Sequence, residues 1–189
     1  MNQQEIIIVS GLPRSGTSMM MNMLQGGGIP LLIDEDRPPD SNNPLGYFEF
    51  TPAKTTRQDN NWLYQAVGKA VKIVTVHLPY LACHYLYKII FMERNLDQVL
   101  SSQNNMLNSM QNAPSSYEMH RIYSAHLKEV KNWLHSQKNI STLFLDYEKV
   151  MAYPEKTVQE ISFFLQRPLK EEMMTKRVNP NLCHHPSVV

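Results

Sequence analysis

The chain is poor in the features that would mark several protein classes. Two cysteines in 189 residues are too few for a disulfide framework, which points to reduced thiols. A formal net charge of +1 leaves no basic footprint for nucleic acid, so any cationic character must be local. No apolar run reaches membrane-spanning length. The first strand begins by Glu5, with no basic region, signal-length apolar stretch or cleavage site ahead of it. The expectation is a cytoplasmic chain with neither a nucleic-acid nor a membrane partner. Its length and 42% hydrophobic content suit one globular domain over residues 1–189 with a sizeable core.

The stretch EIIIVSGLPRSGTS, residues 5–18, carries the strongest local signal. Ile6 to Val9 are β-branched and unbroken, as in a strand covered on both faces, so residues 11–18 should turn into a helix. Two glycines let such a turn approach an anion closely, with the N–H groups of the turn and of the helix start pointing at it. Gly11 and Gly16 have the spacing of a nucleotide-binding phosphate loop, but the lysine of that motif is missing: Thr17 stands there, and the nearest cation is Arg14. Kinases and NTPases use that lysine on the terminal phosphates, so its loss argues against ordinary NTP chemistry.

A second candidate anion site lies at YKIIFMERNLDQVLSS, residues 87–102. Ile89 to Met92 read as a strand, Arg94 follows its end, and a helix from Asn95 carries Ser102 eight residues beyond Arg94. PRSGTS after a strand, together with this arginine–serine pair, resembles the sulfotransferases that use 3′-phosphoadenosine 5′-phosphosulfate (PAPS) and release 3′-phosphoadenosine 5′-phosphate (PAP). The resemblance covers Glu5 to about Leu165 and implies an α/β fold of three layers, with a mainly parallel sheet flanked by helices. It implies that Arg14 sits on the sulfuryl group and its bridging oxygen. By the same resemblance Ser15, Gly16, Thr17 and Ser18 hold the 5′ end, and Arg94 and Ser102 hold the 3′-phosphate. Tyr147, in FLDYEKVMAYPEKTVQEISFFL, matches a family tyrosine near adenine; its other reading is a half-buried ring bridging sheet and helix. Met19 stands where cytosolic members carry a tryptophan.

The remaining chain reads as alternating elements. Residues 18–25 form a buried helix with methionines as core filler, ended by Gly26 to Gly28. Residues 29–34 are a candidate second strand, followed by a proline-rich loop to Tyr47. Residues 56–70 read as a helix with Trp62, Leu63 and Val67 on its apolar side, and 71–77 as a strand ending in His77. Ser115 and Glu118 form a capping box for a helix with Ile122, Leu127, Val130 and Leu134 on one stripe. The histidines of that helix, His120, His126 and His135, lack metal-site spacing. Residues 142–146 are a strand, and Pro154 opens a last helix.

Two residues compete as the group that takes the acceptor's proton. His77 falls in HLP at a predicted strand end, where ligands of open α/β sheets sit, and resembles the base of cytosolic sulfotransferases. Glu35, twenty-one residues after Arg14, resembles the glutamate of tyrosylprotein sulfotransferases. The expected reaction moves a sulfuryl group from PAPS to an acceptor hydroxyl or amine on a small molecule or peptide, with no metal. A non-catalytic nucleotide-binding protein and, behind it, a nucleotide or small-molecule kinase are the alternatives. The late segment rich in Arg, Lys and Gly that closes cytosolic members over the 3′-phosphate has no counterpart here. Cys183, His184 and His185 are adjacent on a terminal tail, a poor arrangement for a metal.

Overall fold

A computed structural model describes residues 4–40, 43–106 and 116–178. Four strands form one sheet: β1 (Glu5–Gly11), β2 (Ala70–Lys72), β3 (Leu86–Glu93) and β4 (Ile140–Asp146). All are parallel, in the order β2-β1-β3-β4. The helices are α1 (Thr17–Gly26), α2 (Leu96–Met106), α3 (Ser116–Ser136), α4 (Tyr147–Ala152), α5 (Pro154–Leu165) and α6 (Glu171–Thr175).

Side chains that alternate along β1 and β3 feed two cores. Ile7, Val9, Ile90 and Met92 pack with Met20, Met23 and Leu24 of α1 and with Val158 and Ile161 of α5. On the opposite face, Ile6, Ile8, Ile89 and Phe91 pack with Trp62, Leu63, Leu78 and, from α3, Val130 and Leu134. A strand covered on both faces has no polar side to show, which explains the unbroken apolar runs. The layers are thus helix, sheet, helix, as expected, and three of the four methionines of α1, Met20, Met21 and Met23, are core filler with no exposed surface, while Met19 is half-buried.

Four details differ from the sequence reading. Residues 29–34 make one bridge, Leu31 to Ala70, instead of a strand. Pro30 has no N–H for a ladder, and the chain turns away at Asp34, whose N–H bonds to Glu49 O at 2.9 Å. Residues 56–70 hold a 3₁₀ turn over Asn61–Ala66 in place of a long helix, because the Asp59 carboxylate takes the Asn61 N–H and diverts the backbone. Strand β2 stops at Lys72, not His77. Beyond it a 3₁₀ turn over Thr75–Tyr80 buries Thr75 against α3, where its hydroxyl is 2.8 Å from His126 Nε2. On α3, Val130 and Leu134 are buried, but Ile122 is 52% exposed because that half of the helix lies against α2 rather than the sheet. Ser115, Cys183, His184 and His185 lie outside the described residues.

The strand order places the site. β1 and β3 are neighbours, while the chain leaves β1 for one edge of the sheet and β3 for the other, so the crevice between their carboxyl ends is a topological switch point. Gly11 is in register with Met92, which brings the segments just beyond both strands to the same height. Gly11 has φ 153°, and a Cβ there would meet Ser15 Oγ and stand 2.6 Å from Met92 O. Gly11→Ala should therefore lose at least about 2 kcal/mol of stability in urea unfolding. An unchanged midpoint would mean that the turn tolerates a side chain.

Candidate active site

The turn after β1 is built to leave amides free at the start of α1. Gly16 caps the helix at φ 95°, and a Cβ at this position would stand 2.5 Å from Tyr147 Cδ2. Among the described residues no side chain caps α1 and its first turn holds no acid, so the positive end of the helix dipole and its first N–H groups meet no anion there. That arrangement suits a bound phosphate. Thr17 and Ser18 line a cleft of about 300 Å³ there, together with Arg14, Gly16, Lys72 and Arg94.

Arg14 and Arg94 meet at the switch point. Arg94 Nη1 donates to Arg14 O at 3.1 Å and its Nε to Gln98 Oε1 at 3.0 Å. Its guanidinium carbon lies 4.2 Å from the centre of the Tyr147 ring. Asn95 accepts the N–H groups of Asp97 and Gln98, which starts α2 at once and fixes Arg94 at the strand–helix corner. Arg94 Nη2 is buried without a hydrogen-bond partner among the described residues. A buried guanidinium N–H left in this state carries a desolvation cost that a bound anion would offset. Arg14 turns toward the same place: its Nε donates to Ser102 Oγ at 2.9 Å, and Ser102 is 3% exposed on α2.

Most of the expected site is assembled, with three exceptions. Ser15 is 1% exposed and its hydroxyl donates to Leu12 O at 2.8 Å, so it shapes the turn rather than facing the cleft. His77 sits on the 3₁₀ turn beyond β2 and does not line the cleft; burial holds its imidazole below the usual value, and Nδ1 is buried without a partner among the described residues. Glu35 is exposed on the loop after residue 34 and also lies outside the cleft. Its neighbours Asp34 and Asp36 are spent on bonds to Thr51 that pin this loop. Neither His77 nor Glu35 is therefore among the residues that line the cleft, His77 because β2 ends at Lys72, five residues earlier than the sequence pattern indicated. Tyr147 is buried and packs on Gly16 and Arg94, combining contact with the cleft and a bridge from β4 to the loop.

Sequence reasoning missed the other wall. Lys72, the last residue of β2, has a side chain only 8% exposed. Its Nζ donates to Ser18 Oγ at 3.3 Å and to Tyr47 O, and lies 3.5 Å from Glu49 Oε1. Glu49 also pairs with Lys54 at 2.8 Å and Arg37 at 3.2 Å. Burial alone would raise the Glu49 carboxyl, but the three cations outweigh it and hold it below the usual value. Arg37 stacks on the Tyr47 ring at 3.3 Å, while Tyr47 Oη donates to Asp40 at 2.7 Å. The readable signal was a lone lysine in a strand otherwise buried on both faces, since such a residue is kept only with a partner or a task.

These features define a class: an α/β protein with a phosphate loop at a switch point and a second cationic corner beside it. Comparison with known proteins names the family. The sulfotransferase-domain profile matches residues 4–181, and the chain belongs to that family. Dog sulfotransferase 1B1 is 27% identical over 131 residues, which is 61% of this chain and 43% of the relative. The chain thus spans less than half the length of that curated protein. Among solved structures, sulfotransferase STF1 of Mycobacterium tuberculosis superposes with a TM-score of 0.57 at 13% identity, covering 95% of this chain and 72% of that one. Mouse sulfotransferase SULT7A1, complexed with PAP, gives 0.56 at 16% identity, covering 93% and 62%. At these identities both speak to the fold. No described helix is long and apolar enough to cross a membrane.

Burial pushes the Lys72 ammonium down to about 8. The folded state therefore gives up this proton before the unfolded chain does, so stability rises with pH from about 8 to the ordinary lysine value. Relative to Lys72→Met, the wild-type chain should gain on the order of 2–3 kcal/mol between pH 8 and pH 10.5 in chemical unfolding. Parallel pH curves for the two chains would mean that Lys72 titrates as if it were in water.

Proposed function

We propose that this chain transfers a sulfuryl group from PAPS to a hydroxyl or amine acceptor. The observation that carries the reading is the buried Nη2 of Arg94, without a hydrogen-bond partner among the described residues, beside the uncapped start of α1: two anion seats in one cleft. Arg94, Arg14 and Ser102 take the 3′-phosphate. The amides of Gly16, Thr17 and Ser18, with the hydroxyls of Thr17 and Ser18, take the 5′ end. Family membership and the PAP held by the mouse relative support this division.

In the reaction the acceptor oxygen or nitrogen bonds to sulfur as the bond from sulfur to the bridging oxygen breaks. The electron pair stays on that oxygen, which leaves as part of PAP. Fixed N–H donors and the helix start offset the charge growing there, where preorganised dipoles contribute most. The acceptor's proton passes to water at the cleft mouth, since neither His77 nor Glu35 reaches the cleft.

Two measurements test the proposal. In calorimetry PAP should bind at least about tenfold more tightly than adenosine 5′-phosphate, and Arg94→Ala should remove most of that difference, as expected for charge-assisted hydrogen bonds. Equal affinity for the two nucleotides would overturn the 3′-phosphate assignment. Incubation with PAPS labelled in the sulfuryl group and a panel of phenols, alcohols and amines should yield labelled acceptor. PAP binding with no transfer to any acceptor class would instead support a non-catalytic nucleotide-binding protein.

A further inference from the structure

The Ser18 hydroxyl, at the start of α1, is fully used in this structure. Its oxygen accepts an N–H from Asn43 Nδ2 at 3.2 Å and one from Lys72 Nζ at 3.3 Å, and its own proton goes to Tyr47 O at 3.2 Å. A hydroxyl has one proton and two lone pairs, so nothing is left over. Tyr47 O also accepts from Lys72. A backbone carbonyl oxygen thus sits among hydroxyl and ammonium donors at the place where the reading above seats the 5′-phosphate. The next residue, Phe48, has φ 51°, which a bulky aromatic side chain rarely adopts. Two other non-glycine residues with positive φ have local reasons for it: Arg14 belongs to the phosphate turn and Gln166 ends α5. Phe48 ends no helix, and its side chain packs against the methionine-rich core. Its strained backbone goes with the direction in which the Tyr47 carbonyl points.

On the reading proposed above, we infer that the Tyr47–Phe48 peptide is a gate on the 5′-phosphate seat: its carbonyl oxygen holds the Ser18 proton, and an arriving nucleotide claims that proton by turning the peptide away. A phosphate oxygen carries more negative charge than a carbonyl oxygen and makes the stronger bond to the hydroxyl. Only one of the two can take the proton, and they repel if both stay. Because a peptide is planar, turning it changes ψ of the residue before it and φ of the residue after it, here Tyr47 and Phe48. The turn therefore lets Phe48 leave the left-handed region, and the strain held in the loop is released on binding. Gly46, at φ 95°, and Asn43, whose Nδ2 donates to Gly46 O at 2.7 Å, frame the segment that moves. Tyr47 stacks with Arg37 and lines the cleft with Leu45, so the nucleotide's arrival also resets the wall that an acceptor meets.

The test isolates the backbone of residue 48. Phe48→Ala and Phe48→Gly both lose the ring and differ in how readily they hold a positive φ. By calorimetry PAP should bind Phe48→Ala at least about threefold more tightly than Phe48→Gly, because alanine favours the turned peptide. In a Ser18→Ala background, with no hydroxyl proton to exchange, that difference should shrink. Equal affinities with Ser18 present, tighter binding by Phe48→Gly, or a difference that survives Ser18→Ala undiminished would overturn the gate. If the Phe48 variants do not fold, hydrogen exchange on the wild-type chain decides. The Gly46 amide, which donates to Asn43 O at 3.0 Å, should exchange faster with PAP bound; unchanged or slower exchange would overturn the inference. A wild-type chain that binds no PAP fails the broader proposal instead, so the two failures are distinguishable.

Discussion

Everything at this site depends on the pairing of β1 with β3. Gly11 and Met92 end the ladder together, so a turn from one part of the chain and a corner from another, 80 residues on, arrive side by side. The bond from Arg94 Nη1 to Arg14 O is the visible result. It ties the phosphate loop to the second cationic corner and sets the spacing between two anion seats without any ligand to organise them. Rigid elements hold both: the uncapped start of α1 on one side, the Asn95-capped start of α2 on the other.

The site stores unmet demand, which is the physical mark of a binding cleft. Among the described residues Arg94 keeps a buried Nη2 without a partner, α1 lacks both a capping side chain and an acid in its first turn, and Lys72 is an ammonium in a nearly dry position. Each of these lowers the stability of the folded chain taken alone, and each is relieved by negative charge in the cleft. Natural chains break the rules of local consistency at functional sites, and here three breaks converge on one cavity.

Motifs with a fixed physical mechanism were legible in the sequence. The glycine-bracketed loop between strand and helix, Arg94 at the strand end with Ser102 on the helix that follows, and the apolar runs of β1 and β3 all stand on the elements that the sequence indicated. What the sequence hid depended on context that only the fold supplies. The length of β2 was misjudged because VKIVTVH has strand propensity throughout, whereas burial of Thr75 beneath α3 decided where the strand ended, and His77 went with the turn. Glu35 stood out among three acids, yet its neighbours serve Thr51 and the carboxylate that reaches the cleft is Glu49, further along the same loop. Lys72 carried a readable signal, since an ammonium between valine and isoleucine in a doubly covered strand must be buried.

The most direct test of the central claim, that the two seats grip one nucleotide, is a crystal structure of the chain with PAP. The account predicts a single molecule with its 5′-phosphate on the amides at the start of α1 and its 3′-phosphate on Arg94 Nη2 and Ser102. PAP seated elsewhere, or reversed with its 3′-phosphate at the helix start, would contradict it.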